Sequence, residues 1–115
     1  MELNDYQKMA LETAAYPENF KLVYPALGLN GEAGEVADKV KKIIRDEYAT
    51  DNKGAVVVPE DKRQALALEI GDVLWYVAMC AYDLGFPLNE IAEMNYRKLQ
   101  SRKERNMLNG SGDNR

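Results

Sequence analysis

The sequence predicts an all-α chain folded as a four-helix, bundle-like domain that forms oligomers. Three observations carry this. Apolar residues recur at three- and four-residue spacing through four segments. Proline and glycine punctuate the chain between them, at Tyr16-Pro17, at Pro59 and at Gly85-Phe86-Pro87, where helices end or begin. The third segment, residues 65–85, is apolar on almost every side. A helix of that kind belongs in a core, and a chain of 115 residues has little core to offer it in one copy.

The first helix is expected to start with Asn4 or Asp5 as N-cap and to run to about Tyr16, with Leu3, Tyr6, Met9, Ala10 and Thr13 on its apolar face. A short link over 20–25 leads to a second helix, about 26–48, striped by Leu29, Ala33, Val36, Ala37, Val40, Ile43 and Ile44. Inside a helix Gly28, Gly31 and Gly34 would each cost up to about 1 kcal/mol relative to alanine. They therefore either precede the helix or let another group come close beside Glu32.

The connector, 46–63, is polar, with a turn at Asn52-Lys53-Gly54 and a short strand or extended arm at Ala55-Val56-Val57-Val58. The third helix spans about 59–84, with Gly85 as its C′ residue. The fourth starts at Pro87 or Asn89 and places Leu88, Ile91, Ala92, Met94 and Leu99 on its apolar side. One domain is expected over 1–108, followed by a disordered polar tail, 109–115.

Composition narrows the chemistry. With 46% hydrophobic and 30% charged residues the chain reads as a soluble globular protein. Its net charge of −4 argues against a nucleic-acid-binding surface. There is no histidine and one cysteine, Cys80, which excludes Ser-His and Cys-His nucleophile pairs and the usual zinc sites. The first sixteen residues contain no apolar leader-like stretch. The longest uncharged run in the third helix, 73–82, is about half of what a bilayer span requires. A soluble, cytoplasmic protein is expected, with no membrane partner.

Carboxylates remain as the reactive groups. Glu69 and Asp72 lie one turn apart inside the apolar third helix, and Glu32 and Glu35 repeat that spacing in the second. A carboxylate buried without a partner is costly. Four of them within about 5 Å would repel by roughly 3 kcal/mol per pair at an effective dielectric of 20. Mg²⁺ or Mn²⁺, hard ions that prefer oxygen ligands, turns that repulsion into binding energy. Magnesium keeps waters and accepts phosphate oxygens, which suits hydrolysis at phosphorus by a metal-activated water. Taken alone, Glu32 and Glu35 also suit a solvated helix face beside lysines; that alternative is weaker for Glu69 and Asp72. Asp38 extends the Glu32/Glu35 face as a further ligand or as a surface charge. In the fourth helix Asn95, Lys98 and Arg102 follow at helical spacing and offer groups for phosphate oxygens. Lys103 and Arg105 read as an ordinary basic helix end.

The combination Glu32-x-x-Glu35 and Glu69-x-x-Asp72, in GLNGEAGEVADKVKK and EIGDVLWYVA, with NYRKLQSR downstream, resembles the all-α nucleoside triphosphate pyrophosphohydrolases, most of all their MazG-like branch. The resemblance covers about 24–102. It implies Mg²⁺-dependent hydrolysis of a nucleoside triphosphate, above all a deoxynucleotide, to monophosphate and pyrophosphate, in nucleotide-pool control or house-cleaning. It further implies that Glu32, Glu35, Glu69 and Asp72 hold metal, with Glu35 also assisting deprotonation of water. Asn95, Lys98 and Arg102 would contact phosphate or sugar, and Trp75 and Tyr76 would wall the base pocket. A homodimer or homotetramer is the expected assembly. Alternatives are a dUTPase/dCTPase-like or phosphoribosyl-ATP hydrolase specialisation, and a non-catalytic helical module that binds metal or nucleotide. The connector between the two motifs is longer than in compact members, which leaves base preference and assembly open.

Overall fold

A computed structural model describes residues 1–106 together with Gly110 and Gly112. The tail expected over 109–115 lies outside the described residues apart from those two glycines. Four helices form: α1 (Leu3–Leu11), α2 (Val23–Glu47), α3 (Glu60–Asp83) and α4 (Leu88–Glu104), with one 3₁₀ turn at Glu18–Phe20. Among the described residues no strand forms. The Val56 segment is an extended arm whose one ladder contact is an isolated antiparallel bridge to Thr50.

The ends of α1 differ from expectation for identifiable reasons. The helix begins at Leu3, and the Glu2 N–H donates to the Asp5 carboxylate. Asn4, the expected cap, is committed elsewhere: its Oδ1 accepts the Asn89 N–H at 2.9 Å, at the first turn of α4. The helix ends at Leu11 rather than near Tyr16. The N–H groups of Glu12, Thr13 and Ala14 turn to carbonyls three residues back, and the Thr13 hydroxyl donates to the Ala10 carbonyl at 2.9 Å.

Helix α2 starts at Val23, three residues earlier than expected. Pro25 sits in its first turn, where a missing N–H costs nothing. All three glycines therefore lie inside the helix. Leu22, just before it, has φ of 64°, and Val23 N–H donates to the Lys21 carbonyl at 2.7 Å, closing a γ-turn. Asp83 anchors that turn: one of its oxygens accepts both the Leu22 N–H and the Tyr16 hydroxyl, each at 2.8 Å.

Helix α3 ends as the glycine suggests. Gly85 has φ of 85°, its N–H donates to the Tyr82 carbonyl, and Phe86 N–H donates to the Ala81 carbonyl. These two bonds make a Schellman cap.

Helix α2 runs antiparallel along α3, since Gly28 meets Tyr76 and Lys42 and Asp46 share a concavity with Lys62. The core lies towards the other end of α3, where Ala10, Ala78, Met79, Ala81 and Leu88 pack together, with Tyr6, Leu11, Trp75 and Ile91 against them. The buried Gln7 ties three elements: its Nε2 donates to the Ala78 and Phe86 carbonyls, and its Oε1 accepts the Leu88 N–H. Outside this core the α2–α3 pair is thinly covered. Leu68 is 75% exposed, Leu27 70% and Ile70 57%. The Cα radius of gyration is 17.4 Å, against about 13 Å for a compact domain of this length. By length and composition α3 would also suffice to cross a membrane, but it carries Glu69 and Asp72 near its middle.

Candidate functional site

The seam between α2 and α3 gathers the acidic residues. Glu32 from α2 and Glu69 and Asp72 from α3 each present one oxygen, and these oxygens all lie within 4.8 Å of one another. Two features bring them there. The i,i+3 spacing puts Glu69 and Asp72 on one face of α3, and the antiparallel register sets Glu32 opposite them. Glu32 and Glu69 are half-buried, while Asp72 is exposed. Partial burial, followed by the negative charges of Asp72, Glu69 and Glu35, raises the Glu32 carboxyl above its ordinary value, and a hydrogen bond with Glu69 adds to this. Like charges this close favour either a retained proton or a cation.

Glu35 stands outside this trio, exposed, with its charge acting on Glu32 from one turn away. Asp38 is occupied by lysines. It lies 2.7 Å from Lys42 and 3.1 Å from Lys41, and those hydrogen bonds lower its pKa. That fits the surface-charge reading of Asp38. Lys39 reaches Glu69 at 3.6 Å and marks one edge of the trio.

Beside the carboxylates is an open concavity of about 350 Å³, lined by Thr13, Glu32, Asp72, Trp75 and Tyr76. Trp75 and Tyr76, adjacent on α3, meet edge to face at 5.0 Å between ring centres. The indole N–H donates to the Thr13 hydroxyl at 2.8 Å. Tyr16 packs edge-on against Trp75 and stacks on Tyr24. A flat apolar partner is offered rings on one side and carboxylates on the other. A concavity of about 410 Å³ near Gln7 and Phe86 is larger but contains no carboxylate.

The polar residues of α4 are placed elsewhere within the protomer. Asn95 and Lys98 line a separate hollow with Ile91 and Met94. Arg102 is 4% exposed, and its guanidinium donates to the Gly112 carbonyl at 3.1 Å.

Residues 25–107 match the MazG nucleotide pyrophosphohydrolase domain. The chain belongs to the MazG nucleotide pyrophosphohydrolase family. The MazG match spans α2 to α4 and leaves α1 outside, although α1 leads into Thr13 of the pocket wall. Gene 37 protein of Mycobacterium phage L5 is 44% identical over 121 aligned positions that cover 100% of both chains. No solved structure matches the chain.

The trio meets the requirements of a hard divalent cation: all donors are carboxylate oxygens, they converge, and burial followed by their mutual repulsion raises the Glu32 pKa. Such an ion supplies charge neutralisation for phosphate oxygens and acidifies a water. The chain's own part is to hold the three oxygens on two packed helices and to set an aromatic wall beside them. Sequence spacing pointed to four carboxylates, of which Glu32, Glu69 and Asp72 come together and Glu35 does not; Trp75 and Tyr76 came from the family resemblance. Both missed Thr13, whose signal was indirect: the one tryptophan needs an acceptor for its N–H.

Proposed function

We propose that this MazG-family protein is a Mg²⁺-dependent pyrophosphohydrolase that converts (deoxy)nucleoside triphosphates to monophosphate and pyrophosphate. The observation that carries this is the convergence of Glu32, Glu69 and Asp72, two of which, Glu32 and Asp72, line one concavity with Trp75 and Tyr76. The rings receive the base, and the carboxylates hold the cation that carries the phosphates. Glu35, exposed to solvent one turn from Glu32, takes the proton from the attacking water. The test is incubation with a panel of ribo- and deoxynucleotides and Mg²⁺, with product analysis. Monophosphate plus pyrophosphate is expected. Binding without turnover would favour a regulatory module, and turnover confined to dUTP, dCTP or phosphoribosyl-ATP would assign the narrower specialisation.

The assembly we propose is a soluble, cytoplasmic homodimer or homotetramer. Leu27, Leu68 and Ile70 are exposed apolar residues of α2 and α3, with Leu68 and Ile70 on different sides of α3, and further copies of the chain are their natural cover. Insertion of α3 in lipid would instead place Glu69 and Asp72 in hydrocarbon, at a cost on the order of 3 kcal/mol each. Within a protomer Asn95 and Lys98 stand apart from the trio. In the oligomer they meet the substrate phosphates across the interface. Mixing Asp72→Asn protomers with Lys98→Ala protomers tests this: activity above that of either parent supports shared sites, and the absence of any gain contradicts them.

A further inference from the structure

Gly28 lies on α2, one turn before Glu32, and faces the ring of Tyr76. A Cβ at position 28 would fall 2.6 Å from Tyr76 Cδ1 and 2.5 Å from Cζ. Carbon atoms in contact sit at about 3.5–4.0 Å, so one edge of the ring occupies space that any other residue's Cβ would claim. At Gly31 and Gly34 a Cβ would meet nothing within 4 Å. Closeness at position 28 is thus a property of that site and not of the glycine-rich stretch.

The ring seated there has an aromatic neighbour. Trp75 meets it edge-on at 5.0 Å and is itself fixed by the bond to Thr13. Burial, with Tyr24, Glu32 and Asp72 nearby, raises the Tyr76 phenol above its ordinary value. The ring and the carboxylates line the same concavity, together with Thr13 and Trp75. A ring displaced from α2 has that concavity open beside it.

We propose that Gly28 is a specificity-determining positioning residue: it seats Tyr76 in the α2–α3 seam and thereby keeps the concavity wide enough for a nucleobase. The proposal rests on the nucleotide-hydrolase reading of the same site. Gly28→Ala moves the Tyr76 ring into the base's space, so it weakens nucleotide binding while leaving the carboxylates in place. Purines, being wider than pyrimidines, lose more.

The test compares wild type, Gly28→Ala, Tyr76→Leu and the double variant. Trp75, the one tryptophan, reports on the ring by its emission, with and without nucleotide and Mg²⁺. Gly28→Ala is expected to shift that emission in the wild-type background and not in the Tyr76→Leu background. It should raise KM and Kd roughly tenfold or more, more for dATP or dGTP than for dCTP or dTTP, with kcat changed by less than about threefold. Circular dichroism confirms that each variant is folded. Equal emission shifts in both backgrounds would overturn the proposal, as would unchanged affinity or a fall in kcat at constant KM. If wild type hydrolyses none of the nucleotides, the enzyme reading fails. Trp75 quenching by nucleotide then still decides the proposal, through the same affinity difference between wild type and the Gly28→Ala variant.

Discussion

The Lys39 ammonium stands 3.6 Å from Glu69, which puts a positive charge at the edge of the carboxylate trio. That charge steadies Glu69 and opposes an arriving cation. In a water-like dielectric the opposition is on the order of 1 kcal/mol. Lys39→Met should therefore tighten Mg²⁺ binding, roughly three- to tenfold at low salt, with the gain shrinking as salt screens the charge. Calorimetric titration at two ionic strengths reads it. Weaker binding in the variant would make Lys39 an organiser of Glu69 instead.

Glu32 gives the site a pH signature. Its carboxyl is raised above the ordinary 4.5 by burial and by Asp72, Glu69 and Glu35. The folded chain then binds this proton more tightly than the unfolded one, so the group favours folding at low pH and loses that contribution as pH rises through its folded value. In EDTA at pH 7, Glu32→Gln should melt above wild type, and the difference should close as pH falls below about 4.5. Mg²⁺ should raise the melting temperature of wild type more than that of the variant. Thermal melts across pH, with and without Mg²⁺, check both statements.

On the proposed mechanism, Glu35 separates proton transfer from cation binding. It lies outside the three-oxygen cluster but acts electrostatically on Glu32. Glu35→Gln should lower kcat by about a hundredfold or more and change Mg²⁺ affinity less than Asp72→Asn does. Steady-state kinetics beside a cation titration distinguish the two. Equal losses of affinity would place Glu35 among the direct ligands.

The Gln7 amide holds α1, α3 and α4 together through the Ala78, Phe86 and Leu88 backbone. Gln7→Leu leaves those buried groups unmatched, at about 1–3 kcal/mol for each left without water. Chemical denaturation should show a loss of roughly 2–4 kcal/mol, with any residual activity keeping its nucleotide preference. An unchanged midpoint would show that water substitutes for the amide.

Much of this was legible in the residues. Periodicity and the Pro/Gly boundaries located four helices, and the Gly85 cap formed as its position suggested. Of the four residues in the two carboxylate spacings, three present oxygens that meet and Glu35 stays outside. The limits were long-range. Nothing near Asn4 signals that its side chain caps a helix some eighty residues later, so the start of α1 was displaced. The glycines of α2 suggested close approach of another group or a flank position, and only Gly28 has such a neighbour, a ring on another helix. The exposure of Leu68 and Ile70 follows from how short α1 and α4 are relative to α2 and α3, which apolar pattern alone does not reveal.

The central claim is that Glu32, Glu69 and Asp72 together hold a divalent cation. Titration calorimetry of the full chain with Mg²⁺, repeated on Asp72→Asn, tests it most directly. Saturable binding in wild type, weakened about tenfold or more in the variant while its helical spectrum is kept, is the predicted result. Absence of binding in wild type, or equal affinity in both chains, would contradict it.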